Sequence, residues 1–250
     1  MKDFEKCLCI ALLLAPAAGH ATWSVAKLDR EAKTIVVAGA SCSYMVYGIA
    51  SVVPGKGVAI VQAGSNGDVR AYAAEQIAAD RPLAAILAEI EDPDKVPDVS
   101  DQQYALLSFA ESERPLTFTG DNVTGWKGSL TAPGLTVQAN TMVGEKVVAA
   151  AFAAMAENAK SDIDLAEQAV RALRAGSEAG GDVRCGEATA ASAFVSLYRP
   201  TDHAGVPYLN LVIYGIEAGT DNAVTHLEQL FSAWRGQDAG NTSTQRFVVP

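Results

Sequence analysis

Strand-like segments arrive in blocks along this chain, not one at a time between helices, and that order excludes most arrangements of a mixed fold. Trp23, Val25 and Lys27 alternate with Ser24, Ala26 and Leu28. Asp29-Arg30-Glu31 then turns into Thr34–Ala38, an opening hairpin. Tyr47–Val53 and Lys56–Ala63 form a second strand pair around Pro54-Gly55, both nearly continuous apolar runs, as expected of a sheet covered on both faces. Two helices follow: Asp68–Ala79, capped by Ser65 or Asn66, and one capped by Asp80 with Pro82 at its start and Leu83, Ile86, Leu87 and Ile90 on one face.

Beyond a linker rich in Asp and Pro, Glu91–Asp101, strands are predicted at Tyr104–Phe109, Leu116–Thr119 and Leu135–Ala139. Helices return at Glu145–Asn158 and Ile163–Ala175, with Gly176 read as a stop. The glycine-rich loop Gly180–Gly186 leads into strands Ala190–Tyr198 and Tyr208–Tyr214 and a last helix, Asn222–Trp234. The order ββββ-αα-βββ-αα-ββ-α disfavours a doubly wound parallel sheet. It favours an α+β fold in four layers, an αββα sandwich with helix pairs outside two facing sheets.

Residues 1–21 read as a secretory leader. A nine-residue apolar run, Cys7–Ala15, precedes Pro16 and small residues ending at Ala21, which suits a signal peptide and is too short to span a bilayer. Residues 22–250 are then one domain, and 49% hydrophobic against 19% charged residues is enough apolar material for a sizeable core. No later run approaches membrane-spanning length. The formal charge of −10, with no cluster of Lys or Arg, argues against a nucleic-acid partner, because phosphate neutralisation needs grouped cations. The expected location is periplasmic or extracellular. After leader removal two cysteines remain, Cys42 and Cys185, which form either one long-range disulfide in an oxidising compartment or two buried thiols.

Familiar catalytic motifs are missing: no G-x-S-x-G, no P-loop, no G-x-G-x-x-G after a strand and no H-E-x-x-H. The mature chain has only His203 and His226, so a Ser-His-Asp triad or a histidine-rich metal site is hard to assemble, and no cofactor or metal is indicated. Position supplies the remaining chemistry. Cleavage after Ala21 would place the hydroxyl of Thr22 beside its own free α-amine, whose ordinary pKa of about 7.7 to 8.0 suits a proton acceptor at neutral pH.

Several segments resemble the DUF1028 family and, through it, the N-terminal nucleophile (Ntn) hydrolases. They are the start Ala21-Thr22-Trp23-Ser24-Val25-Ala26, the triplet Ala40-Ser41-Cys42 and Val52-Val53-Pro54 followed by Gly57–Ala63. Phe118-Thr119-Gly120, Val137–Met142 and Gly180-Gly181-Asp182-Val183-Arg184 follow in the family's order, so the resemblance spans nearly all of the mature chain. It implies an αββα sandwich with a threonine at the chain start. Gly55-Lys56 is shorter than the family's usual stretch, and Ala139 stands where the family has glycine.

These readings assign Thr22 as nucleophile and base, and Asn140 as oxyanion donor, its alternative being a turn or helix-cap residue. Asp182 and Arg184 are expected to hold a polar substrate end or orient the amine, or else to pair with each other at the surface. Gln138 is expected to face the pocket or to satisfy buried backbone, with Ser24 and Ser41 in reserve and Lys56 as a cation near the amine or a solvated turn lysine. The function expected is a secreted Ntn-type amidohydrolase acting on a small amide. The competing readings are a catalytically silent binding or envelope-associated protein of that fold, and an accessory subunit of a homo-oligomer.

Overall fold

The structure, a computed structural model, describes residues 21–111, 114–236 and 244–248, the last by backbone alone. The expected leader lies outside the described residues except for Ala21. Strands β1 (Thr22–Asp29) and β2 (Thr34–Ser41) make the opening hairpin, in which the Asp29 carboxylate accepts the turn N–H groups of Glu31 and Ala32 at 2.9 and 3.0 Å. They lie at the centre of a seven-stranded sheet. Its order is β11 (Thr244–Val248), β10 (Leu209–Ile213), β9 (Ser192–Tyr198), β2, β1, β8 (Leu135–Met142), β7 (Trp126–Ala132), antiparallel except where β10 meets β11. A second, wholly antiparallel sheet has the order β3 (Ala50–Val53), β4 (Gly57–Ala63), β5 (Gln102–Ser108), β6 (Leu116–Thr119).

Strand alternation sorts apolar side chains into three cores. Ala26, Leu28, Ile35 and Val37 from the large sheet meet Val58, Ile60, Ala105 and Leu107 from the small one. On its other face the small sheet presents Ala59, Val61, Tyr104 and Leu106 to helices α1 (Gly67–Ala78) and α2 (Leu83–Ile90). The other face of the large sheet, with Trp23, Val25, Val36 and Ala38, packs on α3 (Lys146–Met155), α4 (Asp162–Glu178) and α5 (Ala223–Gly236). The inner strands are therefore buried on both faces, which is why β2 and β4 read as nearly unbroken apolar runs. Each large side chain so buried contributes about 1.5–3 kcal/mol.

Local departures from the expected elements have identifiable causes. Strand β7 escaped the sequence reading because this edge strand, with Gly128 inside it, carries mostly half-buried residues and no apolar alternation. Helix α4 runs through Gly176 to Glu178: a Cβ there would stand 2.6 Å from the indole nitrogen of Trp23, so this glycine is a packing site and not a stop. Asp80 does not cap α2, whose N-cap is Pro82. It adopts a left-handed φ of 56° and binds Lys56, which places that lysine in an exposed ion pair as a turn residue. Asn66 is the cap of α1, accepting from the N–H groups of Asp68 and Val69 at 3.0 and 3.3 Å.

Lys27 joins the centre of the large sheet to the end of α3. Its ammonium donates to the carbonyls of Met155 and Glu157 at 2.8 and 2.6 Å, and burial holds it below the ordinary lysine value. Among the described residues no helix is long and apolar enough to cross a membrane.

Candidate functional site

At the Thr22 end of β1 the layer between the sheets changes from hydrocarbon to amides. Thr22 pairs with Asn140 across β1 and β8, and Ser24 with Gln138, so these side chains share the face that looks toward the small sheet. From that sheet Gln62 of β4 reaches across: its amide nitrogen donates to the Thr22 carbonyl at 3.3 Å and to Gln103 Oε1 at 2.8 Å, and its Oε1 accepts from Ser24 Oγ at 2.6 Å. Gln103 of β5 donates to the Ala139 carbonyl at 3.1 Å and Thr119 Oγ1 at 2.9 Å, and accepts from Asn140 Nδ2 at 3.2 Å. Buried amides survive here because they satisfy one another.

Four atoms on β8 lie outside that accounting, the hydroxyl of Thr136 among them. Both amide atoms of Gln138 and Oδ1 of Asn140 are buried without a partner. Asn140 Nδ2 has one N–H left after its bond to Gln103, and its buried Oδ1 has no donor. Gln138 and Asn140 are both fully buried between the sheets, and neither lines the cavity described below.

On its other side Thr22 is flanked by a buried ion pair. Asp182, fully buried, accepts from Arg184 Nη2 at 2.7 Å, from Arg184 Nε at 3.1 Å and from the Cys42 backbone N–H at 2.7 Å. The two are paired with each other, the carboxylate in the interior and the guanidinium a quarter exposed. Arg184 Nη2 also donates to the Ala21 carbonyl at 3.2 Å, and the Ser41 hydroxyl donates to the same oxygen. Cys42 and Cys185 are joined as a disulfide, Cα atoms 5.5 Å apart, closing a loop of 143 positions. The bridge ties the end of β2 to the short 3-10 segment Val183–Ala188, whose first turn Asp182 caps.

A cavity of about 280 Å³ opens at Thr22, lined among others by Ser43, Tyr47, Gln62, Ala63 and Arg70. That is at the small end of ligand clefts, roughly 300–1,000 Å³. A larger cavity of about 440 Å³, with Val37, Val52 and Phe194 in its wall, lies beside it and shares Tyr47 and Gly48. Backbone strain brackets the site: Ala63, just after Gln62, and Thr141, just after Asn140, hold left-handed φ values of 65° and 57°. Such conformations cost about 1–3 kcal/mol each in a non-glycine residue and persist only where the surroundings impose them. Thr141 is held by its N–H and hydroxyl, which donate to the Thr124 carbonyl at 3.1 and 3.0 Å.

Of the sequence-expected residues, Thr22 and Asn140 come together, with Ser24 and Gln138 deeper along the same face, while Asp182, Arg184 and Ser41 gather around the Ala21 carbonyl. Gln62 and Arg70 were not foreseen. A glutamine inside the otherwise apolar run Val58–Ala63 was the legible signal for the first; nothing in the sequence distinguishes Arg70 from a solvated helix arginine.

The solved structure of protein SPO2555 from Silicibacter pomeroyi, itself assigned to DUF1028, is similar to this fold with a TM-score of 0.67 at 19% identity, covering 85% of this chain and 88% of that one. No functionally curated protein matches the chain. The family model described as "Family of unknown function (DUF1028)" matches residues 22–221, beginning at Thr22 itself, and the chain therefore belongs to the DUF1028 family.

Proposed function

We propose that the chain is a secreted Ntn-type amidohydrolase that uses Thr22, freed by removal of residues 1–21, to cleave a small amide. The observation that carries this reading is the place of Thr22: first residue of a central strand, at the polar end of the inter-sheet layer, on the wall of a small cavity. The sequence of cores, helices on sheet on sheet on helices, supports reading the fold as a four-layer αββα sandwich of the Ntn kind. The disulfide supports an oxidising compartment.

In this mechanism the α-amine takes the Thr22 hydroxyl proton as Oγ1 attacks the substrate carbonyl carbon. The resulting oxyanion is stabilised by the spare N–H of Asn140. The C–N bond then breaks, the leaving amine takes the proton back from the ammonium, and water hydrolyses the threonyl ester by the same route. Ser41 and Arg184, which bind the Ala21 carbonyl in the longer chain, flank the new terminus. There Ser41 orients the amine and the Arg184 charge favours its neutral, basic form.

Mass spectrometry of the mature protein should find Thr22 as the first residue. Thr22→Ala, expressed with the leader kept, should fold as wild type and lose amide hydrolysis by at least about a thousandfold. A mature chain starting elsewhere, or undiminished turnover by Thr22→Ala, would overturn the mechanism.

A further inference from the structure

Arg70 projects from the first turns of α1 into the wall of the Thr22 cavity. It is half-buried, and among the described residues no carboxylate is paired with it. Its one side-chain bond among the described residues is Nη1 to Ser65 Oγ, 3.1 Å. Ser65 directs its own hydroxyl proton to the Val61 carbonyl at 2.7 Å, so it fixes the guanidinium and does not neutralise it. Burial lowers the affinity of Arg70 for its proton, and no neighbouring acid offsets that effect. In a chain of formal charge −10, with acids outnumbering bases 29 to 19, a partly desolvated arginine facing a cavity without an acidic partner is out of keeping with a structural ion pair.

We propose that Arg70 is the specificity residue of this cavity and that the molecule bound beside Thr22 is a small amide bearing a carboxylate, which the free edge of the guanidinium holds. A guanidinium edge matches the two oxygens of a carboxylate in plane, and a volume of about 280 Å³ admits a compact acid but not a large polyanion. Among the described residues Arg70 is the only cationic side chain on the cavity wall, which fits a singly charged group. This assignment rests on the proposed function for the identity of the ligand as an amide, but the carboxylate contact itself does not require turnover.

The test uses the mature Thr22→Ala protein, in which a bound amide cannot be consumed, and two matched pairs of probes measured by calorimetry. N-acetylglycine against N-acetylglycinamide places the carboxylate on the amine side, and glutaramate against glutaramide places it on the acyl side. In at least one pair the acid should bind about tenfold or more tightly than its neutral partner. Adding Arg70→Gln should remove that preference while leaving neutral-probe affinity unchanged, and Arg70→Lys should keep part of it. If neither acid is preferred, or the preference persists in Arg70→Gln, the assignment is wrong. Arg70-dependent binding with no hydrolysis by the wild-type protein would leave this site standing and defeat the amidohydrolase reading instead.

Discussion

Gln62 spans the gap between the two sheets to the backbone of Thr22, its amide nitrogen 3.3 Å from the Thr22 carbonyl, while its oxygen accepts the Ser24 hydroxyl at 2.6 Å. The start of β1 is thus held from the opposite sheet as well as by its neighbours. Replacing Gln62 with leucine leaves the Ser24 hydroxyl without its acceptor and the Thr22 carbonyl and Gln103 Oε1 each short of a donor. At about 1–3 kcal/mol per buried group left unpaired, Gln62→Leu should cost about 3 kcal/mol, and Ser24→Ala about 1 kcal/mol. Urea unfolding with an unchanged slope and a lowered midpoint would register both.

Asp182 and Arg184 should both be costly to lose, because either loss strands the other's charge. The Asp182 carboxylate is fully buried and also accepts the N–H of Cys42, whereas the Arg184 side chain keeps 25% exposure. Asp182→Ala leaves a guanidinium partly buried without its counter-charge, at an expected cost of about 3–5 kcal/mol. Arg184→Met keeps much of the volume but leaves the fully buried Asp182 carboxylate without its counter-charge, so it should cost at least as much, and thermal unfolding of the two variants at neutral pH checks the order.

Gly176→Ala tests helix propensity against packing. The substitution gains about 1 kcal/mol of helix propensity, but the added methyl meets Trp23 at 2.6 and 2.9 Å, and overpacking of this kind costs about 1–3 kcal/mol. Net destabilisation of about 1–2 kcal/mol is expected, together with a change in the near-ultraviolet signal of the buried Trp23.

Glu89 supplies an acid-sensitive tie between α1 and α2. Hydrogen bonds from Arg81 and Tyr72 hold its carboxyl down at about 2. Because the folded value is depressed, the stabilisation is present above the ordinary glutamate range and is lost as pH falls through about 2. The difference in melting temperature between wild type and Glu89→Gln should therefore be steady from pH 7 to about 5 and shrink progressively toward pH 2.

Legibility in the sequence followed burial. β1, β2 and β4 bury both faces and announce themselves as apolar runs, whereas β7, half-buried at an edge, has no period to read. Gly176 shows the limit differently: a glycine that ends a helix and one that admits an indole look alike until Trp23, more than 150 positions earlier, is placed against it. The threonine that opens β1 was identifiable from its position after the leader-like segment. Arg70 was not, because its significance comes from its place on the cavity wall with no paired carboxylate among the described residues.

The Cys42–Cys185 bond and the pairing of β2 with β9 close nearly the same loop, since Ser41, next to Cys42, pairs with Ser192, seven residues after Cys185. Bringing such distant segments together is the slow, entropically opposed part of forming a sheet of this topology. An oxidised chain begins its search with that closure already made, so a single covalent event in an oxidising compartment fixes the meeting of the first hairpin with the last third of the sheet. In a reducing compartment the same encounter would have to be found anew each time the protein opened.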